Sequence, residues 1–257
     1  MGAKQFWTAM VAICGLAAAA QAATVTPSLY RVDGKPVPAS CLEAVANGDK
    51  AIDLTHCGNP KLKPKIQGDT VGYDIPEGGY FYYRYLGQAD GLAVLYMESS
   101  GGGSGQFTML SGVRQDGHLV RKVRDYGAGD RCNGGLSEAA VSNGRLTFDQ
   151  ALTPYDLIAL ANPKTKLDAY KDLEASATSC VAVSHMVGDD KHWTGVTLTE
   201  DALTDEQGWT SQYRYQSCFN KLYTSWVKQD RDDMDRGGVM AFANAFVSRC
   251  VQPAHKG

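Results

Sequence analysis

The sequence predicts an α+β protein: an antiparallel β-meander of about six strands braced by disulfides, with flanking helices and a C-terminal α-helical hairpin. Three observations carry this. Short apolar and aromatic runs recur between residues 80 and 152, joined by Gly- and Asn-containing segments. Two stretches near the C-terminus place apolar residues at helical spacing. Once an export signal is removed, the cysteines are even in number and none is at Cys-x-x-Cys spacing.

The export signal comes first. Lys4 is the only charge ahead of the apolar run Phe6–Ala20, which ends in the small-x-small pattern Ala20-Gln21-Ala22. A positive start, an apolar run and a cleavage site in that order define residues 1–22 as a signal peptide, with Ala23 opening the mature chain. The run falls short of the roughly 20 residues a spanning helix needs, and no later segment is long and apolar enough. No transmembrane anchor is therefore expected after cleavage. Of the seven cysteines, Cys14 leaves with the signal. Cys41, Cys57, Cys132, Cys180, Cys218 and Cys250 remain, and an even set in an exported chain implies disulfides rather than a zinc knuckle or a redox pair. The expected location is the periplasm, or outside the cell. The formal net charge of −3 gives no electrostatic reason to bind nucleic acid or an anionic membrane.

Residues 23–57 form an N-terminal segment bracketed by Cys41 and Cys57. Ser40 is expected to cap a short helix over Cys41–Ala46, ended by Asn47-Gly48, and Ala51–Leu54 to form a short strand. Pairing Cys41 with Cys57 closes a short loop, worth about 3 kcal/mol. Residues 58–79, rich in Gly, Pro and Lys, read as an irregular linker.

Residues 80–200 hold the sheet core. The strands run 80–86, 92–98, 106–114, 118–126, 136–142 and 145–152, with Asp116-Gly117 and Asn143-Gly144 supplying the positive φ that tight hairpins need. Thr153-Pro154-Tyr155-Asp156 opens a helix, with Thr153 as cap, Pro154 in the first position and Asp156 over free N–H groups. Leu167, Tyr170 and Leu173 suggest a second helix. Cys180–Val187 and Thr194–Thr199 read as two further strands.

Residues 201–257 form a helical hairpin and tail. Tyr215, Cys218, Phe219, Leu222 and Trp226 share one face of the first arm. Val239, Phe242, Ala243, Phe246 and Cys250 share one face of the second. Cys218 and Cys250 each lie about 20 Å from the bend at 1.5 Å per residue, so they should pair, and Cys132–Cys180 follows by elimination. All segments after the signal suit one elaborated domain.

Meander geometry places the candidate site. Alternate connections fall at one end of a sheet, so Ser99–Gly105, Gly127–Gly135 and the helix start at Thr153 should gather. Glycines let backbone N–H groups converge on an anion or carbonyl oxygen. Ser104, Asp130, Arg131 and Asn133 are the candidate ligand contacts, with Arg131 able to grip a carboxylate at two points. An internal Asp130–Arg131 pair bracing the loop is the competing account. Gly102-Gly103-Ser104-Gly105-Gln106 is not a nucleophile elbow, because Gln106 stands where glycine is needed and a strand follows.

Other features carry less. His185 and His192 flank Asp189-Asp190, but loop polarity accounts for them. Asp230–Asp235 fails as a calcium loop, with Met234 and Ala241 at ligand positions. No metal or cofactor is expected. Tyr80–Tyr85 puts aromatics on both faces of a strand. One face could stack on a glycan, although core on one side and the helical hairpin on the other is the expected arrangement. The sequence thus favours a non-catalytic binding protein of the cell envelope, recognising a protein, a glycan or a small anionic ligand through its Gly-rich loops. The alternatives are a hydrolase whose catalytic set, including Asp130, assembles only on folding, or an inhibitor or immunity protein for an envelope enzyme.

Overall fold

A computed structural model describes residues 29–48, 50–162, 164–199 and 212–252. The expected signal peptide with its cleavage site, and His255, lie outside the described residues. The described residues open with a small hairpin, β1 (Arg31–Val32) and β2 (Lys35–Pro36), followed by α1 (Ala39–Asn47). Pro38, not Ser40, precedes this helix: its φ of −61° and extended ψ of 137° set the entry. Ser40 lies inside the first turn, where its Oγ accepts from the Asn59 N–H at 3.1 Å. That bond and Cys41–Cys57, with Cα atoms 5.4 Å apart, tie α1 to the chain that follows.

After β3 (Ile52–Asp53), the segment expected as a linker is partly ordered into a hairpin. β4 (Lys65–Gln67) and β5 (Thr70–Asp74) pair, and β5 pairs in turn with β6 (Tyr80–Ala89). Val71 and Tyr73 are buried. This period-2 signal is short and surrounded by Gly and Pro, which masks it in the sequence.

β6 is followed by β7 (Leu92–Ser100), β8 (Phe107–Asp116) and β9 (Leu119–Asp130), an antiparallel meander inside a seven-strand sheet ordered β3-β9-β8-β7-β6-β5-β4. The β6–β7 turn uses Asp90 and Gly91, both at positive φ. The β8–β9 turn is centred on Gly117-His118, one residue later than expected, with Gly117 at φ 55°.

All six expected strands form, but they divide four and two. β10 (Leu136–Ser142) and β11 (Arg145–Leu152) pair with β12 (Ala182–Val187), β13 (Asp189–Leu198) and a two-residue β14 (Asp233–Met234) in a second, five-strand antiparallel sheet. The chain changes layer at residues 131–135. Arg131 at φ 47° and Gly134 at φ 73° turn it, and Cys132–Cys180, with Cα atoms 4.6 Å apart, pins the turn.

The two sheets pack face to face through Val94, Tyr96, Leu110 and Tyr126 on the first and Leu146, Phe148 and Met186 on the second. α1 covers the opposite face of the first sheet over Phe81, Tyr83, Leu95 and Met97. The rest of the second sheet's inner face carries the helices. These are α2 (Pro154–Leu160), α3 (Gln216–Val227) and α4 (Arg236–Phe246), the last continued by a π-helical turn at Val247–Val251. α2 starts with the expected reciprocal cap between Thr153 and Asp156. The helical hairpin forms, with Cys218–Cys250 joining its arms, but it covers the second sheet and not the Tyr80–Tyr85 strand. Its joint is not simply solvated, because Met234 pairs with Val196 and is buried. No helix forms over Leu167–Leu173. That stretch is held by turns, with an isolated bridge between Ala169 and Leu173. No helix among the described residues is long and apolar enough to cross a membrane. The fold is α+β, and its three disulfides suit an oxidising compartment.

Candidate functional site

Alternation along β6 builds one wall of the site. Odd-numbered Phe81 and Tyr83 point into the α1 core, where the Tyr83 hydroxyl donates to the Val37 carbonyl at 2.6 Å. Even-numbered Tyr80, Tyr82 and Arg84 take the other face. The second sheet covers only part of that face, and β10 crosses its margin, with the Tyr96 hydroxyl donating to the Leu136 carbonyl at 2.9 Å. What remains open is a groove made of two cavities.

One cavity, about 460 Å³, is lined by Tyr82, Arg84, Tyr96, Glu98, Ser137 and Glu138, with Gln67 and Thr70 at its rim. The other, about 300 Å³, lies toward Tyr80, Phe107, Thr108 and Arg131. Glu98 and Ser137 line both, so the groove is continuous from the β4–β5 hairpin to the Gly-rich turn after β9.

Its aromatic side is fixed from behind. Tyr80 and Tyr82 have ring centroids 5.5 Å apart. The Tyr82 hydroxyl donates to Asp74, which Lys65 also grips. Lys65 first, then the Tyr82 hydroxyl, hold the Asp74 carboxyl below the usual carboxylate range. The Asp74 hydrogen bond and burial push the Tyr82 phenol up, and burial followed by the Glu98 charge does the same at Tyr80. The Tyr82 hydroxyl is already engaged, so this residue offers ring surface, whereas Tyr96 is buried.

The charged groups differ in how they are held. Arg84 sits over the Tyr96 ring, its Cζ 5.4 Å from the centroid, and its buried Nε has no hydrogen-bond partner among the described residues. Arg131 is neutralised: its Nε donates to Asp130 Oδ1 at 3.0 Å and a terminal nitrogen donates to Oδ2 at 3.3 Å. Asp130 Oδ1 also accepts from the Gln106 N–H at 3.0 Å. Arg131 foremost, then that N–H, keep the Asp130 carboxyl below its ordinary value. Glu138 reaches the groove through a bulge in the β10–β11 register between Ser137 and Ala140, and it has φ 47°.

The loops meet where meander geometry placed them, through Gln106 and Asp130, but they make no anion nest. Gly129 and Gly135 are glycines because the turn folds onto itself. A Cβ at Gly129 would lie 2.1 Å from the Gly134 carbonyl carbon, and one at Gly135 2.1 Å from the Arg131 oxygen. The Thr153 hydroxyl fills the Asp156 N–H at the start of α2. Of the four candidate residues, only Arg131 lines the groove, while Asp130 pairs with it from behind. Asn133 donates through its amide to the Ala175 carbonyl at 3.3 Å. Ser104 is exposed and lines neither cavity. Glu98, Ser137 and Glu138 had no signal in the sequence, whereas the alternation Tyr80-Tyr82-Arg84 was visible in it.

The histidines lie elsewhere. His185 bridges Asp149 (2.8 Å) and Thr197 (2.9 Å), and the Thr197 hydroxyl donates to Asp233 at 2.7 Å. These side chains cross β11, β12, β13 and β14 on the outer face of the second sheet, away from both groove cavities. His192 pairs separately with Asp189 at 2.6 Å.

No protein-family model, curated protein or solved structure matches this chain.

Proposed function

We propose that this is a non-catalytic glycan-binding protein of the bacterial periplasm, which lays a saccharide along the groove between the two sheets. The observation that carries the reading is the groove wall itself. Tyr80 and Tyr82 stand side by side, 5.5 Å apart, with Glu98 and Glu138 at the opening. Sugar rings have C–H faces that pack on aromatic rings and hydroxyl edges that donate to carboxylates. Aromatic side chains supply large, rigid contact area of this kind, and a few fixed polar groups set the ligand's orientation. The export signal in the sequence and the three disulfides support the location.

Pull-down of the mature, oxidised protein on insoluble envelope polysaccharide, with calorimetric titration of soluble neutral and charged oligosaccharides, tests the reading. The native protein should bind, and Tyr80→Ala with Tyr82→Ala should lose most of the affinity while keeping the unfolding midpoint within a few degrees. Absence of binding to every saccharide by the folded native protein would remove the reading.

A further inference from the structure

We infer that the saccharide held in the groove is acidic, with its carboxylate taken by Arg84. The inference rests on the glycan reading above and names the ligand's chemical class. Among the described residues lining the groove, Arg84 is the cation with no carboxylate in ion-pair contact, although Glu98 and Glu138 line the same cavity. Its Nε is out of water without an acceptor, and its plane is held beside Tyr96. The other arginine in the groove, Arg131, already has both oxygens of Asp130.

Arg84 as a whole is half-buried, and the desolvated, unpaired Nε–H is the part of its guanidinium that costs free energy. A carboxylate matches its fork geometry and its charge better than a neutral carbonyl does. Glu98 and Glu138 oppose a second negative charge, but both are exposed, so solvent and salt screen them. Their acceptor-only oxygens suit the sugar's hydroxyl donors, leaving Arg84 as the site for the acid group. The ligand class is therefore a sugar carrying a carboxylate, either on the ring, as in a uronic acid, or on an ether substituent, as in a lactyl amino sugar.

The experiment is a calorimetric titration of the mature, oxidised protein with oligogalacturonate, oligomannuronate and an N-acetylmuramyl-containing glycan strand, each beside its carboxyl methyl ester. The ester keeps the rings and linkages and removes only the charge. At least one acid form should bind, with its ester weaker by about tenfold or more and its own affinity falling as salt is raised. Arg84→Gln should bring the acid form down to the level of the ester, and Arg84→Lys should retain part of the difference. Equal binding of acid and ester overturns the inference and leaves the glycan reading standing. So does binding confined to neutral oligosaccharides. Binding of no saccharide at all overturns both. Because the ester comparison is made on the native chain, a poorly folding Arg84 variant does not decide the outcome.

Discussion

Tyr82 lies against Gly72 of the neighbouring strand. The two residues are directly paired in register, and a Cβ at Gly72 would fall 1.8 Å from the Tyr82 Cδ1 atom. The absence of a side chain at Gly72 therefore gives the ring its place in the groove wall, and Asp74 holds its hydroxyl. Gly72→Ala should push the ring out of position. Overpacking of this kind costs about 1–3 kcal/mol, read as a lower denaturant midpoint, and saccharide affinity should fall with it. A Gly72→Ala protein with native stability and native affinity would show that the ring is free to sit elsewhere.

Asp130 and Arg131 form the brace between the loop before β8 and the turn that changes layer. Replacing both with Ala frees the Gln106 N–H and removes one wall of the smaller cavity. The pair is partly exposed, with side chains 24% and 31% accessible, so the stability loss should be small. Affinity for a saccharide spanning both cavities should fall, while a ligand short enough to occupy only the Arg84 end should bind as before. Equal loss for long and short ligands would place Arg131 outside the path of the chain.

How much of this was legible beforehand follows from the range of each signal. The reciprocal cap of Thr153 and Asp156, the apolar faces around Phe219 and Phe242, and the period-2 strands are local patterns, and the sequence displays them. The Cys218–Cys250 pairing needed only helix rise and a bend. The split into two sheets was not legible, because adjacent strands normally pair, and the turn that sends β10 to the other layer rests on positive φ at Arg131 and Gly134 and on the Cys132–Cys180 tether. The groove depends on that split. Tyr80, Tyr82 and Arg84 could be assigned to one face from sequence, but what covers that face is a long-range fact. The helical hairpin went to the second sheet, and the face was left open.

Among the described residues, four carboxylates sit below their ordinary pKa range in the folded protein. Asp53 is held at about 2, chiefly by the Thr55 hydroxyl and then its N–H. Asp74 is lowered by Lys65 and Tyr82, Asp130 by Arg131 and Gln106, and Asp189 first by His192. Each binds its proton more weakly folded than unfolded, so stability from these groups is present above the unfolded value of about 4. It is lost as pH falls toward the folded values. The urea midpoint should be level from about pH 5 upward on this account and decline steadily toward pH 2. At the alkaline end the sign reverses: burial raises the Tyr30 phenol to about 12, so its contribution is lost as pH rises from about 10. A midpoint that stays constant from pH 5 to pH 2 would contradict the acid-side assignment.

Glu138 has φ 47° in a bulge, a conformation that costs a side-chain-bearing residue about 1 kcal/mol or more and that glycine adopts freely. The residue is exposed, and no side-chain hydrogen bond or ion pair holds it among the described residues. What the bulge does is bring a carboxylate to the groove beside Ser137. Stability and binding should therefore move in opposite directions. Glu138→Gly should raise the unfolding free energy by up to about 1 kcal/mol, read as a higher denaturant midpoint, and lower saccharide affinity. Glu138→Gln should keep the backbone strain, leaving the midpoint near native, while weakening binding through loss of the stronger acceptor. If Glu138→Gly gains stability and binds as tightly as the native chain, the bulge serves the turn between the sheets alone, and the carboxylate belongs outside the site.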